Sequence, residues 1–372
     1  MQAKCKMIFN LMEDLAPPDL AMDWDNSGLQ IGNPDAFVEG VMLALDADEE
    51  VCREAAEKGC RLIITHHPLF FKDLKTLDLR TGTGSLAANL IRSGITLYAA
   101  HTNLDSAPNG VNAALARVLD LEQASVLKPS RSGALLKLVV FVPSGHEGQV
   151  REALTLAGAG CIGSYSHCTF GVPGTGTFRP LEGAKPFIGK LGHLEQVKEI
   201  RLETIVPERL AGRAVEAMMA VHPYEEVAYD LYPLKIKNSG SGLGRIGVLK
   251  DTVSLGQFTG KVKKALGLSA LRVGGGSEKP VARVALCGGS GAGLWPLARA
   301  AGADVLVTGD VSYHMARDMV QAGLGFIDAG HYGTEKVILP VLRDHLEKEC
   351  ALKGLDVHVY ISAGNGDPYE YL

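Results

Sequence analysis

The residues of this chain best suited to chemistry are histidines and carboxylates gathered at three places. His66 and His67 follow directly on the apolar run RLIIT (61–65). His101 and Asp105 follow ITLYAA (95–100) within HTNLD, and His331 and Glu335 follow GFIDA (325–329). The last two stand at i,i+4 spacing, which shares one helix face, and adjacent histidines at a strand end can splay toward two neighbouring centres. Neutral imidazoles, with carboxylates that bind terminally or as bridges, are ligands for divalent metals. His66, His67, Asp105, His331 and Glu335 suit a pair of ions, with Glu335 as the bridge. Taken singly, each is an ordinary polar loop residue. Taken together, the clusters fall past the carboxyl ends of strands on one edge of the expected sheet, where open α/β sheets collect ligands.

The elements that must position them follow from the pattern of apolar runs. VMLALD (41–46), a helix over about 49–58 closed by Gly59, and RLIIT form a βαβ unit, which demands a parallel pair with a right-handed crossover. The helix SLAANLIRS ends at Gly94, before ITLYAA. The C-terminal part repeats the rhythm with RVALC (283–287), DVLVT (304–308), GFIDA, a helix from about 332 to 349, and VHVYIS (357–362). This predicts a layered α/β domain with a mostly parallel sheet. Between the halves lie LLKLVVFV (135–142), a helix over 147–157, the glycine-rich GVPGTGTFRP (171–180), IRLETIVP (200–207), a helix near 208–220 and VAYDLYPL (227–234). That β-α-β-β-α-β order is the α+β ferredoxin-like pattern. Its flanks, KPSRSG (128–133) and KNSGSGLG (237–244), have linker composition. The expected organisation is an N-terminal half-domain over 1–127, an inserted domain over 128–242 and a C-terminal half-domain over 243–372.

Other motifs have plainer readings. CGGSGAG (287–293) matches neither nucleotide-binding glycine fingerprint and reads as a tight strand–helix turn. Asp310 in VTGD reads as a helix N-cap, with a place beside the site as the alternative. HPYEE (222–226) reads as a turn ahead of a strand, and Cys161 and Cys168 as small buried residues.

Composition narrows the class. A chain of 372 residues suggests two or three domains. Glycine, at 44 residues, is in surplus without a Gly-X-Y period, which points to tight turns and close backbone approaches. The net charge of −5 gives no basic footprint for nucleic acid, making such a partner unlikely. The longest uncharged run, 153–178, is broken by glycines and polar residues, so no membrane span is expected. Seven scattered cysteines with no C-x-x-C pair exclude a disulfide framework and a thiolate zinc site, and suit the cytoplasm.

WDNSGLQIG (24–32), THHPLFF (65–71), HTNLD (101–105), CGGSG (287–291), TGDVSYH (308–314) and DAGHYGTE (328–335) together resemble the Nif-three-like family of GTP cyclohydrolase I type 2 homologues. GTGTFRP and HPYEEVAYDLYPL resemble the PII/CutA-like domain inserted in its longer bacterial members. The resemblance implies a toroidal homohexamer of two stacked trimers, capped by the inserted domains, with a dinuclear metal centre in each subunit. It implies His67 and Asp105 on one ion, His66 and His331 on the other, and Glu335 bridging. The ions would be zinc, iron or manganese, since mixed imidazole and carboxylate ligation suits these better than magnesium. The implied activity is hydrolytic opening of the guanine ring of GTP at C8, with loss of formate and closure to dihydroneopterin triphosphate; His101 and His314 are the candidates for proton transfer. The alternative is a ring without catalysis that stores, delivers or senses metal through a PII-like module. The sequence departs from the family pattern at Ala47-Asp48 and at Met315, the latter beside His314.

Overall fold

The computed structural model describes residues 2–72, 74–130, 135–162, 165–235, 240–364 and 366–370. It divides into two compact units, Met1–Ser130 with Ser239–Leu372, and Arg131–Asn238. The fold is mixed α/β with several sheets.

The first unit holds two large sheets. In one, the strands run His358–Ile361, Gly40–Ala44, Leu62–Thr65, Thr96–Ala99 and Gly28–Ile31, parallel except for the last pair. GVMLA, LIIT and TLYA are buried throughout, as expected of parallel strands covered on both faces. Alternate residues feed separate cores. Leu43, Leu62 and Ile64 pack with Ile8, Leu342 and Leu346; Met42, Ile63 and Leu97 pack with Val51, Leu86 and Leu90. The crossover helix Glu49–Glu57 starts where the Asp48 carboxylate accepts the Val51 N–H at 2.7 Å.

The other sheet runs Arg272–Gly274, Gly325–Asp328, Val305–Thr308, Pro280–Leu286, Gly242–Ser254 and Glu122–Pro129. Only the pairs among Pro280–Leu286, Val305–Thr308 and Gly325–Asp328 are parallel; the outer pairs are antiparallel. The single mostly parallel sheet predicted from the rhythm is therefore two mixed sheets. Each has a parallel centre where a helix intervenes between strands; Gly28–Ile31 alone is antiparallel at the border of the first, whereas antiparallel strands flank the second on both sides. Glu122–Pro129 is largely exposed and carries no apolar run, so nothing in its sequence marked it as a strand.

The linker-like flanks lie partly outside the described residues. Strand covers 128–129 and 242–244 of them, where Gly242 pairs with Pro129 and Leu243 with Lys128. The second unit has the expected element order, Leu135–Pro143, Glu147–Leu156, Thr169–Phe178, Glu195–Pro207, Ala211–Val221 and Tyr229–Leu234. Its strands form one antiparallel sheet, ordered Tyr229–Leu234, Leu135–Pro143, Glu195–Pro207, Thr169–Phe178. Both helices pack on one face, Val150 and Met218 against Leu138, Val140 and Leu202. Cys161 is exposed and Cys168 half-buried, correcting the expectation that both are core residues. Among the described residues no helix is long and apolar enough to cross a membrane.

Candidate metal centre

The strand Leu62–Thr65 runs straight into His66 and His67, and its parallel neighbour Thr96–Ala99 leads to His101. The short helix Thr102–Ser106, whose Asp105 N–H donates to the His101 carbonyl at 3.0 Å, then brings in Asp105. From the second sheet, Gly325–Asp328 ends in a left-handed Gly330 (φ +76°) that turns the chain into the single helical turn His331–Glu335. The clusters thus belong to two sheets whose carboxyl ends meet, rather than to one edge of a single sheet.

The donor atoms converge. Glu335, 3% exposed, has Oε1 at 3.2 Å from His331 Nε2 and 3.6 Å from His66 Nε2, while Oε2 is 3.1 Å from His67 Nε2. His66 Nε2 is also 3.6 Å from Asp105 Oδ1, and the Nε2 atoms of His67 and His331 are 3.3 Å apart. Three overlapping sets have ligand atoms within 4.8 Å of one another: His67, His331 and Glu335; His66, Asp105 and Glu335; His66, His67 and His101. Two of these sets place His67 with His331 and His66 with Asp105 around Glu335, where the resemblance implies His67 with Asp105 and His66 with His331.

Each imidazole is oriented through its other nitrogen. His66 Nδ1 donates to the Ala100 carbonyl at 2.8 Å, His67 Nδ1 to Asp46 at 2.9 Å, His331 Nδ1 to Asp310 at 2.7 Å, and His101 Nδ1 to Asp25 at 2.7 Å. With the proton held on Nδ1, every neutral ring presents an Nε2 lone pair to the centre, the arrangement of ligands prepared for a cation. His66 Nε2, Asp105 Oδ1 and Glu335 Oε2 are buried without a hydrogen bond among the described residues. Buried polar atoms are normally satisfied, so these need a partner that the side chains do not supply. Ligands about 2.1 Å from a tetrahedral cation lie about 3.4 Å apart, which matches the spacing found. The residues fit divalent metal.

The electrostatics express the same demand for positive charge. Burial pushes His67 down, but its hydrogen bond to Asp46 and the adjacent negative charge of Glu335 outweigh it and carry the ring up to about 10. His331, hydrogen-bonded to Glu335 and Asp310, is raised to about 9. His66 is raised too, as the charges of Glu335 and Asp105 overcome its burial. Burial lifts Asp105 to about 6, whereas Glu335, despite its burial, is held well below the usual range by the surrounding imidazoles.

Sequence reasoning missed the roles of Asp46 and Asp25, and held that of Asp310 only as the alternative. Asp310 is not a helix cap: Ser312 caps Tyr313–Gln321, and Asp310, at φ +55°, serves His331 instead. A signal was available. Ala44 pairs with Thr65 and Thr308 with Asp328, so Asp46 and Asp310 lie just past the neighbouring parallel strands at the level of the histidines. Replacing Asp46 or Asp310 with asparagine is expected to weaken metal binding by about 10–100-fold, measured by chelator competition against wild type. His314 stands exposed at the start of Tyr313–Gln321 with its ring against Tyr313, outside the clustered donors.

The CGGSGAG turn packs against the centre and spends three of its N–H groups on side chains. Gly288 N–H donates to Asn112, Gly289 N–H to Thr334 and Gly291 N–H to Thr308, at 2.9–3.0 Å. Gly289 sits at φ +61°, and a Cβ there would run into Glu335 Oε1.

Comparison with known proteins agrees with the motifs. The model of the family Duf34/NIF3 (NGG1p interacting factor 3) matches residues 3–368. The GTP cyclohydrolase 1 type 2 homolog of Halalkalibacterium halodurans is 44% identical over 370 residues, covering 100% of this chain and 99% of its own. The protein of the same name from Bacillus subtilis is 43% identical, covering 99% and 98%. The crystal structure of a Bacillus cereus protein related to NIF3 superposes with a TM-score of 0.92 at 44% identity, covering 100% and 99%.

Proposed function

Because the chain belongs to the Duf34/NIF3 family, we propose that its histidine–carboxylate cluster holds two divalent cations, zinc, iron or manganese, and hydrolyses a nucleotide-like substrate. Opening of the GTP guanine ring is its specific form, as the relatives' name suggests. The observation that carries this reading is the convergence of the His66, His67 and His331 Nε2 atoms on Glu335 and Asp105 with every Nδ1 already engaged. Cations bound there supply Lewis acidity and lower the pKa of water.

The chain's own groups then divide the remaining work. His101 lies with its ring 5.4 and 5.6 Å from those of His66 and His67, and its Nδ1 proton is held by buried Asp25. Burial would raise Asp25, but hydrogen bonds from His101, Thr102 and Ser27 hold it well below the usual carboxylate range. His101 Nε2 is therefore the atom placed to take up and return a proton, with Asp25 stabilising the imidazolium. His314 serves only a substrate that extends past Asp310 to the Tyr313–Gln321 helix.

Trp24 and Phe71, 62% and 53% exposed, flank His101 edge-on at 5.9 Å each. Their loops are tied together: Asn26 Nδ2 donates to the Phe70 carbonyl at 2.7 Å and the Phe70 N–H to Gln30 Oε1 at 3.2 Å. A fixed aromatic rim beside a hydrolytic centre suits a planar base. We assign the inserted unit as a PII/CutA-like module and the assembly as a cytoplasmic toroidal homohexamer of two stacked trimers; light scattering should then give six times the 39.5 kDa chain mass.

The test is to strip the protein with chelator, reload it with each metal and incubate it with GTP, assaying formate and pterin fluorescence. Metal-dependent formate release by wild type and none by Glu335→Ala is the expected result. Reversible metal exchange with no turnover on GTP or a nucleotide panel would overturn catalysis and leave the storage or delivery role.

A further inference from the structure

The second unit contains a cavity of about 470 Å³ that the metal centre leaves unexplained. Alternation along the strands puts it on the face of the four-stranded sheet opposite the two helices, under the segment 179–188 and the HPYEE turn. Its walls are aromatic: Phe141, Phe178, Phe187 and Tyr224, the Tyr224 ring lying 5.8 Å from Phe178 and 6.4 Å from Phe187.

Glu199 also lines it, a carboxylate only 8% exposed. Across the strand pair Glu199 faces Gly174, and a Cβ at nearby Gly176 would run into its carboxylate, so the glycines of GVPGTGTF make the room it occupies. Tyr224 donates its hydroxyl to Glu199 Oε1 at 3.0 Å. Among the described residues Glu199 has no other side-chain hydrogen bond and no ion pair. His222 is no counter-ion, since its Nδ1 accepts the Tyr224 N–H at 3.1 Å while Nε2 donates to the Phe141 carbonyl at 3.1 Å, which leaves the ring neutral. Arg179 lines the cavity but is exposed and makes no ion pair with it, and Glu225 and Glu226 add negative charge.

Burying a carboxylate without a cation is costly, and buried charges are as a rule paired. One carboxylate and a phenol are too few ligands for a metal, and no candidate metal set among the described residues includes them. Aromatic faces around a negative charge are instead the recognition chemistry of organic cations. We infer that this cavity binds a small organic cation, an ammonium or guanidinium on an apolar body, with Glu199 as its counter-ion and Phe178, Phe187 and Tyr224 as its cage. The HPYEE turn, read from sequence as structural, supplies the tyrosine that fixes the carboxylate.

The test is calorimetric titration of the full chain with benzylammonium chloride, and with benzyl alcohol as the uncharged control. Benzylammonium should saturate one site per chain and bind at least about tenfold tighter than the alcohol, the size of one charge-assisted contact. Glu199→Gln, which keeps the volume and the Tyr224 hydrogen bond, should weaken benzylammonium by at least about tenfold. Phe187→Ala, at an exposed wall position, should weaken it severalfold and keeps the test informative if the glutamine variant does not fold. Absence of saturable binding to wild type, equal binding of the alcohol, or unchanged affinity in both variants would overturn the inference. None of these readouts depends on the metal centre.

Discussion

Replacing Glu335 with alanine is expected to reduce metal in the purified protein to background and to abolish any metal-dependent turnover. Glu335 lies within 3.6 Å of all three of His66, His67 and His331, and among the described residues it belongs to both candidate sets that contain a carboxylate. Its removal breaks both groups at once, whereas loss of His331 or Asp105 breaks one. The change also removes the anion that keeps those imidazoles charged when no metal is bound. Breaking a buried charge network in this way costs about 3–5 kcal/mol, so the metal-free variant should melt well below metal-free wild type near neutral pH. Glutamine at 335 keeps the shape but not the charge and should behave like alanine in metal content while recovering part of the packing. Elemental analysis together with thermal unfolding checks both. Wild-type metal content in Glu335→Ala would remove Glu335 from the site.

The five candidate ligands were legible because each depends only on residue type and on standing just past an apolar strand. How they combine was not legible. His67 meets His331 because the carboxyl ends of two sheets face each other, and the βαβ rhythm suggested a single sheet. The second sheet was hidden by strands such as Glu122–Pro129, whose exposed polar residues give no periodic signal, and by Gly242–Ser254, which begins within linker-like composition. Asp46 and Asp310 were unremarkable singly, since aspartate is common after strands; the parallel register gives them meaning by setting each beside a histidine on the neighbouring strand. Glu199 was invisible for a related reason. It stands on the strand face away from the helices, where a charged residue reads as solvated, and only the overlying segment and the HPYEE turn bury it.

Between pH 6.5 and about 9, the metal-free protein is expected to lose thermal stability steadily while the metal-loaded protein does not. The sign follows from which state holds the proton more tightly. His67 and His331 rise from an ordinary 6.5 to about 10 and about 9 in the folded chain, so their protonation stabilises the fold fully below pH 6.5 and is lost as pH climbs toward those values. His66, also raised, adds to the same trend. Asp105, raised to about 6, has given up its contribution by pH 6.5, and Glu335, lowered, loses stability only on the acid side below its usual range. Above pH 6.5 the imidazoles therefore set the slope that the centre contributes, chiefly through His67, since solvent screens the half-buried His331. A cation on the Nε2 atoms replaces those protons, which predicts proton release on metal uptake and affinity that rises with pH. Calorimetry in buffers of different ionisation enthalpy counts the protons released, and melting curves at several pH values read the widening gap between the two forms. Parallel melting curves with no proton release would show that metal does not take the imidazole nitrogens, and would move the metal site away from Glu335.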